Sequence, residues 1–227
     1  MGNEFIKIIK YFINCFLEVI YSSEEECVVC KEEINNKEYM LCNSCISRIK
    51  TCSSSYNMSV DRHHVSCYSG VYYSGIVKEL ISRLKYKSDF RAGEALSIYM
   101  LQTIKANNLS FDIITYVPST KKTLKRRGYN QSEFLAKTIG NKTDTKVLGI
   151  LSKVKETKDQ IGLSGEERWN NLRDSYKVNK VKDIRGKRVL LVDDVITTGA
   201  TGFFCAENML KNGAKQVYIL TAAKSSI

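Results

Sequence analysis

Residues 188–201 read Arg188-Val189-Leu190-Leu191-Val192-Asp193-Asp194-Val195-Ile196-Thr197-Thr198-Gly199-Ala200-Thr201. Four consecutive apolar residues, two of them β-branched, are the mark of a strand buried on both faces, and Asp193 and Asp194 follow directly at its C-terminal end. In open α/β sheets, ligands sit at that end of the strands. Two adjacent carboxylates accept hydrogen bonds from the vicinal hydroxyls of a sugar, directly or through a divalent cation. Thr197, Thr198, Gly199, Ala200 and Thr201 then form a turn with hydroxyls and backbone amides that feeds a helix predicted over 201–212. A helix N-terminus of this kind cradles a phosphate monoester. The combination describes a phosphorylated ribose. A Walker B reading fails for want of any G-x4-G-K-[ST], since Gly186-Lys187 is followed by Arg188. A receiver-domain reading fails because only 33 residues follow Asp194.

Around this stretch, strands alternate with helices. Cys67–Ile76 has the pattern of a strand or hairpin around Gly70. Helices are predicted over 76–87 and 90–106, and a buried strand over Phe111–Val117, ended by Pro118. A helix over 130–139 is closed by Gly140, Val147–Leu151 suits another strand, and the helix over 201–212 is closed by Gly213. Gln216–Ala222 supplies the last strand. The fold class is therefore α/β, a mainly parallel sheet with helices on both faces.

Toward the N-terminus the pattern changes. Residues 4–21 (EFIKIIKYFINCFLEVIY) place Phe5, Ile9, Phe12, Phe16 and Ile20 at helical spacing. Docking on protein and lying on a membrane surface are both open to such a helix. Residues 22–66 hold few apolar side chains and most of the eight cysteines. Cys27-x2-Cys30-x11-Cys42-x2-Cys45 presents two knuckles of two thiols each, the donor set of a tetrahedral structural zinc site with bonds of about 2.3 Å. A segment this poor in core needs such a staple. Residues 53–66 read as a linker, with His63 and His64 as solvated side chains or an added ligand. Cys52 and Cys67 stand apart as a relic or alternative pair, and Cys15 and Cys205 as core residues. The expected organisation is an apolar helix over 1–21, a zinc module and linker over 22–66, and the α/β domain over 67–227.

The 227 residues carry a net charge of +11. Residues 1–66 hold 7 Lys/Arg and 9 Asp/Glu, so residues 67–227 hold 28 and 15, a net +13. A basic domain attracts polyanions, nucleic acid or a highly phosphorylated small molecule; on charge alone a Lys-rich surface without a specific ligand reads the same way. Mean hydropathy is −0.25, and no apolar run of about 18 residues predicts a spanning helix. No convincing secretory signal precedes the cysteines, so a cytoplasmic location with reduced thiols is expected.

The stretch 189–201 resembles the phosphoribosyl-diphosphate (PRPP) motif of type I phosphoribosyltransferases. Leu84-Lys85-Tyr86-Lys87-Ser88-Asp89, Val117-Pro118-Ser119 with the following Lys121, Lys122, Arg126-Arg127-Gly128-Tyr129-Asn130-Gln131 and Leu135-Ala136, and Thr157…Gln160…Leu163-Ser164…Arg168…Asn171 resemble segments of the ComF/GntX (ComFC-like) family. An N-terminal zinc ribbon is usual in that family. The resemblance covers residues 24–224. It implies a PRPP-binding phosphoribosyltransferase that displaces diphosphate with an unknown nitrogen acceptor, with Mg²⁺ accompanying PRPP and a link to natural transformation and DNA uptake. It also implies a diphosphate loop of Ser119, Thr120, Lys121 and Arg127. Lys85 and Tyr86 would form a hood over the acceptor, although an ordinary amphipathic helix accounts for them equally. Gln160, Arg168 and Asn171 would form a closing loop. Trp169 suits packing or stacking on an acceptor base. Glu156 departs from the family by replacing a basic residue before Thr157, which weakens diphosphate binding there unless Lys155 or Lys158 substitutes. The alternative is a PRPP-fold module of little or no activity that binds single-stranded DNA or a competence partner through its basic face.

Overall fold

Val189–Val192 are completely buried, as a doubly covered strand requires. A computed structural model describes residues 26–34, 39–60, 63–154, 172 and 174–225. The chain divides into two compact units, Met1–Arg48 and Ile49–Ile227.

In the first unit, Glu26 and Glu33 form an antiparallel bridge around the first cysteine turn. A short helix α1 (Asn43–Ser47) follows the second turn. Among the described residues of this unit, Val28, Ile34 and Leu41 are the buried aliphatic side chains. The apolar helix expected over 4–21 lies outside the described residues.

The second unit is built on a five-stranded sheet. Its strands are β1 (Tyr56–Val60), β2 (His63–Tyr72), β3 (Ile113–Tyr116), β6 (Arg188–Ile196) and β7 (Gln216–Lys224), in the spatial order β1-β2-β7-β6-β3. β1 pairs antiparallel with β2, and every other pairing is parallel. Between them come α2 (Gly75–Tyr86), α3 (Phe90–Ala106), α4 (Lys121–Arg127), α5 (Gln131–Thr143), the antiparallel pair β4 (Leu151–Lys153) and β5 (Tyr176–Val178), α6 (Val181–Ile184) and α7 (Ala200–Lys211). α3 packs on β2 and β7, and α5 packs on β3 and β6. α7 and the β4–β5 pair join Val189 and Leu191 of β6 and Val217 and Ile219 of β7 in a second apolar layer. The sheet is thus mainly parallel with helices on both faces, as the alternation of elements implies.

The structure corrects or narrows several expectations. Residues 53–66 are not a linker: Tyr56–Val60 and the start of β2 form the edge of the sheet, and the break between units falls after Arg48 rather than after residue 66. β2 runs through Gly70 to Tyr72, so of the strand and the hairpin read around Gly70 the strand is the one formed. β6 continues past the aspartate pair to Ile196, so Asp193 and Asp194 lie within its C-terminal part. The helix predicted over 130–139 extends to Thr143, and Asp144, at φ +49°, takes the left-handed closing position expected of Gly140. Val147 contributes one parallel bridge to Ile114 rather than a strand.

Gly140 serves close packing. A Cβ there would lie 2.5 Å from Val147 Cγ2 and 2.8 Å from the Thr145 carbonyl oxygen, which accepts no compression because it is backbone. Alanine in a helix interior is favoured over glycine by about 1 kcal/mol; overpacking a tight site costs about 1–3 kcal/mol. Gly140→Ala is therefore expected to lower stability by roughly 1–2 kcal/mol, measured by urea unfolding. An unchanged or raised midpoint would show that the contact yields easily.

Candidate functional site

β3 stops at Tyr116, and the Val117 amide makes a last bond to the Val192 carbonyl at 3.0 Å. Beyond that point β6 keeps β7 as its neighbour, with Asp193 opposite Thr221, while its other side opens. Asp193 and Asp194 sit at this opening. Asp193 Oδ1 accepts from Ser132 Oγ at 2.8 Å and from the Asp194 amide at 2.9 Å. Asp194 is only 5% exposed, and its Oδ2 forms an ion pair with Lys85 Nζ at the end of α2.

Ser132 is held in place by the start of α5. Asn130 caps that helix by accepting from the Ser132 amide at 3.0 Å, and it donates through Nδ2 to the Val117 carbonyl at 2.9 Å. The end of β3, the α5 cap and the first carboxylate are thus one hydrogen-bonded chain.

After β6, Thr197–Gly199 turn the chain into α7. Gly199 has φ +80°, and a Cβ there would lie 3.1 Å from Met58 Sδ of β1. Both the left-handed conformation and the close neighbour favour glycine. The N-cap residue Gly199 offers no side-chain acceptor and no acidic residue occupies the first turn of α7; the Thr198 hydroxyl accepts from the Ala200 amide at 3.5 Å, and the helix dipole keeps this end partially positive. A cavity of about 460 Å³ lies here, lined by Lys85, Asp193, Asp194 and residues 197–202 together with Tyr73, Thr221 and Ser225.

Burial, followed by the neighbouring Asp194 charge, pushes Asp193 up to about 7, against the pull of the Ser132 hydroxyl and the Asp194 amide. Burial works against the charge of Lys85, but the facing Asp194 carboxylate outweighs it and holds the ammonium above its ordinary range. The site therefore offers carboxylate acceptors flanked by an ammonium, opposite the amide-rich start of a helix. That arrangement suits a ligand carrying both hydroxyls and an anionic group.

The cavity gathers Lys85, Asp193, Asp194, Thr197, Thr198, Gly199, Ala200 and Thr201. Ser119 and Thr120 leave β3 at the same edge but are not among its lining residues. Thr120 caps α4, accepting from the Thr123 amide at 3.0 Å. Lys121 and Arg127 belong to that helix rather than to a loop, and Arg127 bonds Gln131 and lies over the Tyr86 ring. Tyr86 is 65% exposed. Gln160, Arg168 and Asn171, like Glu156 and Trp169, lie outside the described residues. The sequence reading missed Ser132 and Thr221. A hydroxyl two residues after a helix-capping asparagine signals the first only weakly; a lone threonine in the apolar run 216–222 signals the second.

In the other unit, the Sγ atoms of Cys27, Cys30, Cys42 and Cys45 all lie within 4.8 Å of one another, with Cys30 and Cys42 at 3.4 Å. The sulfur separation in a tetrahedron with bonds of about 2.3 Å is about 3.8 Å, so the four thiols fit one metal ion. Burial would raise the Cys27 thiol, but backbone N–H groups of Cys30, Cys42 and Val29 outweigh it and bring it down to about 6. The thiol is thereby prepared for the thiolate form that a metal requires. Burial, followed by the surrounding thiols, pushes Cys45 up. Among the described residues this is the cluster suited to a metal, and no helix is long and apolar enough to cross a membrane.

No family model matches the chain. It is similar to Competence protein F of Haemophilus influenzae, 26% identical over 88% of this chain and 96% of the relative. It is also similar to the DNA utilization protein YhgH of Escherichia coli, 28% identical over 65% of this chain and 66% of that protein. With Competence protein ComFC of Bacillus subtilis, identity is 25% over 62% of this chain and 56% of that one. The chain thus spans about two thirds of YhgH and just over half of ComFC. Among solved structures it resembles the allosteric regulatory enzyme of purine biosynthesis, with a TM-score of 0.41 and 20% identity over 58% of this chain and 26% of that one.

The raised Asp193 has a consequence for stability. Its ordinary value is about 3.9, so between about pH 4 and 7 the folded protein binds the proton more tightly than the unfolded chain, and stability falls as pH rises through that window. Asparagine keeps an acceptor for Ser132 and the Asp194 amide without the charge. Asp193→Asn is expected to be more stable than wild type at pH 8, by on the order of 1–2 kcal/mol after allowance for solvent screening. The difference should shrink toward pH 5 in denaturant titrations. A pH-independent difference would remove the electrostatic account.

Proposed function

We propose that this chain, a homologue of Competence protein F, ComFC and YhgH, binds PRPP at the Asp193-Asp194 cavity and acts as a phosphoribosyltransferase linked to DNA uptake. One observation carries this reading: the acidic pair, residues 197–201 and the α7 N-terminus line a single cavity at the C-terminal edge of a parallel sheet. Asp193 and Asp194 accept hydrogen bonds from the ribose hydroxyls. The amides and hydroxyls of Thr197–Thr201 hold the 5′-phosphate on the α7 dipole. Ser119, Thr120, Lys121 and Arg127, which leave β3 beside Asp193, are assigned to the diphosphate.

In the reaction, the bond from C1 to diphosphate breaks and its electron pair leaves with the diphosphate. A nitrogen of the acceptor forms the new bond to C1, and its proton passes to the departing diphosphate or to water. The carboxylates hold the sugar while positive charge develops at C1, and the basic side chains Lys121 and Arg127 neutralise the leaving group. Mg²⁺ bound with PRPP supplies further neutralisation of the diphosphate. Lys85 and Tyr86 are assigned to the hood, and Gln160, Arg168 and Asn171 to a closing loop. Zinc is the metal assigned to Cys27, Cys30, Cys42 and Cys45. Four protein ligands leave it no open position, so its role is to fold its unit. The cytoplasm, which keeps thiols reduced, is the assigned location.

PRPP with Mg²⁺ at a hundredfold excess over Kd contributes about 2.7 kcal/mol to the native state, roughly 5–10 °C in Tm at this chain length. The shift is expected in wild type and absent in Asp193→Asn/Asp194→Asn; no shift in wild type removes the proposal. Elemental analysis is expected to find one zinc per chain, lost in Cys42→Ser together with the fold of residues 26–48.

A second reading, a module that binds single-stranded DNA, is favoured by α4. None of its residues is buried, and Lys121, Lys122, Lys125 and Arg126 are exposed on it. Its DNA affinity is expected to fall steeply with salt and to weaken on replacing these residues; binding indifferent to salt excludes it.

A further inference from the structure

The acidic pair is already furnished with donors from within the chain. Of its four carboxylate oxygens, Asp193 Oδ1 takes the Ser132 hydroxyl and the Asp194 amide, and Asp194 Oδ2 takes the Lys85 ammonium. Lys85 comes from the C-terminal end of α2, is itself largely buried and lines the same cavity as the two acids. A divalent cation at this pair would meet an ammonium on the buried carboxylate and a hydroxyl and an amide on the other. The like charge repels it, and the carboxylate oxygen it would take on Asp194 is already engaged by the ammonium. A neutral hydroxyl meets no such repulsion and can share the same acceptors.

We infer that Lys85 is a specificity-determining residue of the sugar site: its ammonium holds the place at Asp194 that a divalent cation would take, so the unliganded pair selects hydroxyls and excludes metal. This rests on the PRPP reading for the identity of the hydroxyl ligand, and on the geometry alone for the exclusion of the cation. Mg²⁺ then enters only on the diphosphate of its ligand.

The test uses Mn²⁺ alone as the probe, with the full chain and electron paramagnetic resonance to count free ion. Wild type and Lys85→Arg are expected to bind no Mn²⁺ at the pair up to about 1 mM, since both keep a cation on Asp194. Lys85→Gln and Lys85→Met are expected to gain one Mn²⁺ per chain at least tenfold more tightly, and Lys85→Gln/Asp194→Asn to lose it again. Lys85→Gln keeps a neutral donor for Asp194 and decides the matter if Lys85→Met, which leaves a buried carboxylate unpaired, does not fold. Should either fold only with Mn²⁺ present, melting curves with and without the ion report the same gain.

Wild type binding Mn²⁺ as tightly as Lys85→Gln, with the site lost in Asp194→Asn, overturns the inference, as does Lys85→Gln gaining nothing. PRPP is tested separately by its shift of the wild-type Tm. A missing shift beside a gained Mn²⁺ site defeats the sugar-phosphate reading and leaves the exclusion standing; the opposite pair of results does the reverse.

Discussion

Two neighbouring carboxylates taken out of water must each find donors, or the strand that carries them is destabilised. Asp193 and Asp194 meet that requirement with groups drawn from two helices far away in the chain. Ser132 of α5 and Lys85 of α2 converge on the end of β6, and each is tied back to the scaffold. Ser132 is fixed by the Asn130 cap and through it by β3, and Lys85 by a helix whose other face is buried in Ile76, Val77, Leu80, Ile81 and Leu84. The positions of α2 and α5 on the sheet and the chemistry of the cavity are therefore one problem with one solution.

The cavity itself follows from unequal strand lengths. β7 accompanies β6 as far as Ile196, whereas β3 leaves at Tyr116, opposite Val192. One flank of the acidic pair is closed by a continuous ladder and the other is left to side chains and loops. Thr221, in register with Asp193 on β7, and Ser69, in register with Thr221 on β2, join hydroxyls at 2.7 Å. A polar row thus crosses three strands at the level where the apolar layer ends. Gly199 then turns the chain so that α7 begins immediately beside the acids.

The N-terminal unit answers a different constraint. Among its described residues, Val28, Ile34 and Leu41 are the buried aliphatic side chains, a small apolar area to set against chain entropy. The four cysteine side chains gather beside them, their Sγ atoms all within 4.8 Å of one another. The backbone N–H groups of Cys30, Cys42 and Val29 that lower the Cys27 thiol lie in the same two cysteine turns, so the spacing of the cysteines sets both the local backbone and the grouping of four donors.

Spacing and periodicity along the chain were enough to determine the parallel α/β class, the acidic strand end with its Thr-Gly turn, the long helices α2, α3 and α7, and the pairing of the two cysteine knuckles. Each rests on contacts within a few residues or on the burial period of a single element. Tertiary structure alone decided that residues 56–60 complete a sheet edge, because their partners are strand residues rather than a local pattern. It decided that Gly140 lies inside a helix, because the reason is the Thr145 carbonyl and the Val147 methyl pressed against it. It also decided that Ser132 and Lys85 complete the site. Ser132 lies 61 residues from Asp193, and no local pattern encodes a hydrogen bond whose donor and acceptor meet only after a sheet has formed between them.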